Sequence, residues 1–210
     1  MSLSAIGGLY AIVDDSSANP LDLARRILEG GCRLLQLRAK ALPARDFVLV
    51  AREMASLCNH YHAIFLVNDR VDVALLSGAH GVHLGQDDFP LGEARKLLGK
   101  EKLIGISTNN VEEALDACRD GADYIGFGPL FPTKTKKDAR REKGLHALEA
   151  VRKKVSIPLI AIGGINEKKI PSLLKAGADG VAIISAIADA KDAKKTTSDI
   201  INIIDRCNAG

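Results

Sequence analysis

The sequence predicts a single (β/α)8 barrel, and three observations lead there. A short motif recurs four times, apolar strand-like segments alternate with helical patterns, and polar residues gather where those strands end. The motif is Gly31-Cys32-Arg33-Leu34-Leu35-Gln36-Leu37-Arg38, then Gly78-Ala79-His80-Gly81-Val82-His83-Leu84-Gly85. It returns as Gly121-Ala122-Asp123-Tyr124-Ile125-Gly126-Phe127-Gly128 and as Gly177-Ala178-Asp179-Gly180-Val181-Ala182-Ile183-Ile184. Each copy reads as a glycine ending a helix, followed by a short apolar strand. Intervals of roughly fifty residues leave room for one more strand and two helices. Four such units make eight strands. Strict alternation demands a parallel sheet with right-handed crossovers. A doubly wound open sheet shares that alternation; the near-equal repeat favours closure.

The intervening strands run near Leu9–Val13, Ile64–Asn68, Leu103–Ser107 and Pro158–Ile162. Between them, Ala44–Tyr61 is the clearest helix, with Phe47, Val50, Ala51, Met54 and Leu57 along one face. Pro20 and Pro43 sit where helices begin, and Asn166 reads as an N-cap. The 210 residues suit one domain with one sizeable core, spanning 1–210. A barrel of this length is lean, which short connecting loops permit.

Composition narrows the function. Nearly half the residues are apolar, yet no run approaches the roughly 20 needed to span a bilayer. Met1–Tyr10 lacks the basic and apolar regions of a signal peptide. Cys32, Cys58, Cys118 and Cys207 are scattered without metal-ligand spacing and read as reduced thiols, which points to the cytoplasm. A net charge of +3 is too small for a nucleic-acid coat; basic residues concentrate only from Lys134 to Lys143. The partners expected are small molecules rather than nucleic acid or membrane. Self-association into a homo-oligomer is compatible with the sequence and not specified by it.

Active sites of such barrels lie at the C-terminal ends of the strands. Strand two ends in Gln36-Leu37-Arg38-Ala39-Lys40, and alternation puts Gln36, Arg38 and Lys40 on one face. Arg38 and Lys40 together suit a diphosphate, one as a fork and one as a point charge; a salt-bridged rim is the plainer reading. Strand three ends in Asn68-Asp69, and Asp88 follows strand four. Two carboxylates beside an amide make a poor zinc site and a magnesium site of ordinary type. Against this, Asp69 also reads as a helix cap before Val71 and Asp88 as a turn residue, with Asp87 a rival ligand. His83 reads as a hydrogen-bonded interior histidine rather than a general base, and His60 and His62 as turn residues. No Ser-His-Asp arrangement is evident.

Gly163-Gly164-Ile165 after strand seven and Ile184-Ser185 after strand eight form the phosphate site common to many barrels. Phe127-Gly128-Pro129-Leu130-Phe131-Pro132-Thr133-Lys134-Thr135-Lys136 is the most distinctive stretch. Its hydroxyls, Lys136 and the basic tail to Lys143 read as a lid over anionic ligands. Ser107 completes the ring of polar groups.

Taken in order, these motifs resemble the thiamine phosphate synthase family over nearly the whole chain. The matching segments are Leu9-Tyr10, Gln36–Lys40, Asn68-Asp69, His83–Asp88, Gly105-Ile106-Ser107, Gly128–Lys136, Ile162–Ile165 and Ile183–Ala186. The resemblance implies a transferase that joins a hydroxymethylpyrimidine diphosphate to the nitrogen of a thiazole phosphate and releases pyrophosphate. It implies that Gln36, Leu37, Arg38, Ala39, Lys40, Asn68, Ser107 and Lys136 hold the pyrimidine diphosphate. Arg38, Lys40, Ser107 and Lys136 would be the catalytic groups, and Asp69 and Asp88 would hold Mg2+. Thr133, Lys134, Thr135, Gly163, Gly164, Ile184 and Ser185 would hold the thiazole phosphate. One departure stands out: family members often carry a histidine two residues after the serine, where this chain has Asn109. Related thiazole tautomerases use a histidine in that region, so its absence argues against that isomerase reading. A non-catalytic thiamine phosphate-binding protein is the other alternative.

Overall fold

The computed structural model describes residues 6–15, 17–133 and 142–209. Eight parallel strands close into a barrel in sequence order. They are β1 (Gly8–Asp14), β2 (Leu34–Arg38), β3 (Ile64–Asn68), β4 (Gly81–Leu84), β5 (Leu103–Thr108), β6 (Tyr124–Phe127), β7 (Leu159–Ile162) and β8 (Gly180–Ile183). Closure is at the pairing of β1 with β8, where Gly8 lies opposite Gly180 and Ala11 opposite Ile183.

The helices are α1 (Pro20–Glu29), α2 (Ala44–His60), α3 (Val71–Ser77), α4 (Leu91–Leu98), α5 (Val111–Arg119), α6 (Gly144–Arg152) and α7 (Ile170–Lys175). After β8 come the single turn α8 (Ser185–Ala188) and the long α9 (Ala193–Asn208), which returns against α1. Local signals set the starts: Pro20 stands at the first helical position of α1, and the Asn19, Asn110 and Asp192 side chains accept first-turn N–H groups. Asn166 stands at the cap position of a 3-10 turn (Glu167–Lys169) that leads into α7, but its side chain accepts no capping bond. In α2 the buried stripe is Phe47, Ala51, Met54, Ala55 and Cys58, with Val50 and Leu57 only half-buried at its margins.

Strand alternation divides the apolar interior in two. Tyr10, Ile12, Leu34, Ile64, Leu66, Leu103, Tyr124, Ile160 and Ala182 fill the barrel itself. The other face of each strand, including Leu35, Leu37, Phe65, Val67, Ile125 and Val181, packs against the helices. The barrel is therefore plugged through its middle, and ligand access is confined to its mouth. Cys32 and Cys58 are buried, Cys118 is half-buried and Cys207 exposed, all as free thiols. Among the described residues no helix is long and apolar enough to cross a membrane.

Candidate active site

The C-terminal ends of the strands enclose a cavity of about 610 Å3. Arg38, Lys40, Asn68, Asp69, Asp88, Ser107, Thr133, Gly163, Gly164, Ile184 and Ser185 all line it. Lys134, Thr135 and Lys136 lie outside the described residues.

Gln36 sits one layer lower. It is buried, and its Nε2 donates to the Tyr10 hydroxyl at 2.6 Å, beside a small cavity of about 20 Å3 beneath the mouth. Leu37 and Ala39 point the other way, into the layer between strands and helices, so only their main chain faces the ligand side. Arg38 is half-buried at the mouth and makes no ion pair with a described residue. The Asn68 side chain is buried at the end of β3, borders both cavities and has no hydrogen-bond partner among the described residues. A cation and an amide placed this way are suited to a polar, anionic ligand.

On the neighbouring rim, Asp69 is not a helix cap; Arg70 holds that position before α3. Asp69 adopts the left-handed backbone conformation, φ 63°, while its N–H donates to the His83 carbonyl at 2.8 Å. That conformation is sparsely used by non-glycine residues and turns the side chain into the mouth. Its carboxyl is pushed up to about 6, chiefly by burial, then by the adjoining Asp88, with Lys40 opposing the rise. Lys40 Nζ stands 3.4 Å from the Asp69 carboxylate, so part of the salt-bridged rim does exist. Asp88 is also a turn residue: its carboxylate accepts the Gly85 N–H at 2.6 Å. It is half-buried and faces Asp69, whereas Asp87 also lines the mouth but is exposed. Two oxygen donors pressed together, with one exposed lysine against them, leave a concentration of negative charge. That donor set fits a hard divalent cation better than zinc, and no cluster of three or more His, Cys, Asp or Glu suited to a metal occurs among the described residues.

The opposite rim is built from backbone. Gly163 and Gly164 both have positive φ, 101° and 63°. The loop after β6 lies against them: Leu130 N–H donates to the Ile162 carbonyl at 3.0 Å and Phe131 N–H to that of Gly163 at 3.1 Å. Lys169 Nζ donates to the Gly164 carbonyl at 2.6 Å and lies over the Phe131 ring. A side chain at Gly164 would overlap the Pro132 carbonyl. Beside this loop, α8 begins at Ser185, and first-turn N–H groups have no acceptor within their own helix. Compact N–H groups without a carboxylate among them suit a phosphate.

Several lining residues have no site role in the sequence reading. Asp15, Gln86 and Asn109 also border the cavity. Asp15 follows the end of β1 and accepts the Ala41 N–H at 2.6 Å; applying the strand-end rule to β1 would have found it. Asn109 donates to Glu113 through both its main chain and its amide, which ties the position of the family's frequent histidine to the first turn of α5. His83 is interior and hydrogen-bonded at both ring nitrogens, to Tyr124 and to Ser107.

Comparison with known proteins identifies the family. The family described as thiamine monophosphate synthase matches residues 9–187. The thiamine-phosphate synthase of Chlorobium phaeobacteroides is 46% identical over 196 residues, covering 93% of this chain and 95% of that protein. That of Methanospirillum hungatei is 47% identical over 188 residues, covering 88% and 91%. Among solved structures, thiamine phosphate pyrophosphorylase from Pyrococcus furiosus superimposes with a TM-score of 0.91 at 38% identity, covering 98% of this chain and 99% of that one. The chain belongs to the thiamine monophosphate synthase family.

Proposed function

We propose that this chain makes thiamine phosphate by joining a hydroxymethylpyrimidine diphosphate to the ring nitrogen of a thiazole phosphate, with release of pyrophosphate. The observation that carries the reading is the division of the mouth. One rim holds Arg38, Lys40, Asn68 and the Asp69–Asp88 pair; the other offers glycine backbone and a helix start. The first suits a diphosphate with its cation, the second a monophosphate. Two phosphorylated substrates would thus meet across one cavity.

The difficult event is cleavage of the bond between the methylene carbon and the diphosphate oxygen. Negative charge then develops on the leaving pyrophosphate, and Arg38 and Lys40, which line the cavity, would stabilise it. Lys136 is proposed to do the same from the loop after β6. Asp69 and Asp88 would hold Mg2+, which when bound neutralises diphosphate charge as a Lewis acid. The electron-rich aminopyrimidine delocalises the methylene cation, so no protein nucleophile is needed. Gly163, Gly164, Ile184 and Ser185, with Thr133, Lys134 and Thr135, would hold the thiazole phosphate so that its nitrogen faces that carbon. Gln36 and Asn68 would orient the pyrimidine from below. We place the enzyme in the cytoplasm on its four free thiols.

Incubation of the purified protein with both substrates, with and without Mg2+, tests the reading. Thiamine phosphate and pyrophosphate should form in equal amounts and only with the metal. Isomerisation of the thiazole without pyrophosphate release would identify a tautomerase instead. Binding without turnover would identify a carrier or sensor.

A further inference from the structure

We propose that Gln36, Tyr10, Tyr124 and His83 form a buried hydrogen-bond chain of fixed polarity that presents Ser107 to the substrate as a hydrogen-bond donor. The inference rests on the mouth being the substrate site and adds a positioning role for four residues beneath it. The chain is continuous. Gln36 Nε2 reaches the Tyr10 hydroxyl at 2.6 Å, and the Tyr10 and Tyr124 hydroxyls are 2.9 Å apart. The Tyr124 hydroxyl is 2.8 Å from His83 Nδ1, and His83 Nε2 is 2.9 Å from Ser107 Oγ. Ser107 lines the cavity, and its carbonyl is held by Gln86 Nε2 at 2.6 Å.

Polarity follows from donor and acceptor chemistry. An amide NH2 only donates, so Tyr10 Oη accepts from Gln36 and must give its own hydrogen to Tyr124. Tyr124 then gives its hydrogen to His83 Nδ1, which leaves the ring proton on Nε2. That proton points at Ser107 Oγ, and the serine hydrogen is left to face the mouth. A protonated imidazole would reverse the His83–Tyr124 bond and bring two donors onto Tyr10 Oη, stranding the Tyr10 hydrogen. Both phenols are buried, and burial pushes both well above their ordinary range, so their hydrogens stay in place. The backbone makes room for the rings: a side chain at Gly105 would overlap Tyr124, and one at Gly126 would crowd His83. A serine fixed as donor suits an oxygen that gains negative charge, as the leaving pyrophosphate does.

Two measurements test this. Nitrogen-15 spectra of the histidines, with the His83 signal assigned by its loss in His83→Asn, should show the Nε2–H form in the wild type. Tyr124→Phe, which keeps the ring, should leave His83 Nδ1 without its donor, so that the tautomer is no longer fixed, and lower kcat about ten-fold, with KM for the thiazole phosphate unchanged. In a Ser107→Ala background the same change should cost nothing further, because no serine remains to orient. An Nδ1–H or protonated His83 in the wild type overturns the polarity. A loss on Tyr124→Phe that simply adds to that of Ser107→Ala overturns the positioning role. If the wild type fails to make thiamine phosphate, the functional reading falls, while the tautomer still reports on the chain.

Discussion

Asp69, proposed to hold Mg2+, would carry a conflict between folding and function that can be measured. Its carboxyl is raised from 3.8 to about 6 by burial and by Asp88, so the folded protein holds this proton more tightly than the unfolded chain does. Between those two values stability must fall as pH rises, because the folded state has the higher affinity for the proton being lost. At neutral pH without metal, the ionised carboxylate therefore weighs against the fold. Asparagine keeps the shape, removes the charge and tolerates the left-handed conformation well. Asp69→Asn should raise the melting temperature of the metal-free protein by a few degrees at pH 7.5 and lose that advantage at pH 4. Turnover should drop on the order of a hundred-fold or more, as for loss of a metal ligand. Scanning calorimetry with a chelator, alongside steady-state kinetics, checks both; a destabilised Asp69→Asn would mean that the Lys40 contact outweighs the repulsion. The sequence could place Asp69 at a strand end because alternation and polarity are visible in one dimension. It could not show the backbone conformation or the approach of Asp88, which depend on how two separate turns meet. The same limit hid the Tyr10–Tyr124 pair, since two tyrosines 114 positions apart look like ordinary strand aromatics.

Three of the four copies of the repeat share a structural job at the opposite end of the barrel. Asp123 Oδ2 accepts the Ile104 N–H at 2.7 Å while pairing with Arg95, and Asp179 Oδ2 accepts the Leu159 N–H at 2.7 Å while pairing with Arg152. In the second copy His80 Nδ1 takes the same part, accepting the Phe65 N–H at 3.0 Å. Arg33, in the first copy, has no acceptor and instead donates to the Leu28 and Cys32 carbonyls. His80 can accept only when neutral, and burial followed by the charge of Lys102 lowers it from 6.5. Its contribution is therefore present above about 6.5 and is lost progressively as pH falls through the lowered folded value. His80→Asp should accept the same N–H with Lys102 near it, so the fall in melting temperature between pH 6.5 and 5 should be smaller than in the wild type. An identical profile in the two proteins would remove His80 as the cause. The loop after β7 gives a second prediction. Gly164→Val introduces a β-branched side chain at φ 63° and against the Pro132 carbonyl. Affinity for the thiazole phosphate should fall more than ten-fold, on the scale of one or two lost charge-assisted bonds. Affinity for the pyrimidine diphosphate, across the mouth, should be unchanged when each ligand is titrated into a variant that circular dichroism shows to be folded. Unchanged thiazole affinity would move that phosphate onto the Thr133–Lys136 segment. The glycines themselves were legible as a turn at the barrel mouth; the packing of the β6 loop against them was not, because nothing local in the sequence ties Phe131 to Gly163.

For the molecule as a whole, closure is the property that the repeat suggested and that only the paired register establishes. A repeat says that units are alike, whereas a barrel also needs the last strand to meet the first. That meeting is narrow here. Gly8 lies opposite Gly180, and a Cβ added at Gly180 would come within 2.6 Å of the Gly8 carbonyl oxygen and 2.8 Å of its nitrogen. Those are backbone atoms of the neighbouring strand, so no side chain can swing aside to make space. Gly180→Ala should therefore strain the β1–β8 seam and cost roughly 1–3 kcal/mol, the range of an overpacked core. Because the mouth is assembled from all eight strand ends, activity should decline along with stability as the seam loosens. Gly92 is the control: it lies in the first turn of α4 with open space around its would-be Cβ and an ordinary negative φ. Gly92→Ala should stabilise by up to about 1 kcal/mol through the unfolded chain, with kinetics unchanged. Urea unfolding of both variants against the wild type measures the difference. If Gly180→Ala unfolded with the wild-type midpoint, the two strands would have enough freedom to part, and the seam would not be what holds the barrel shut.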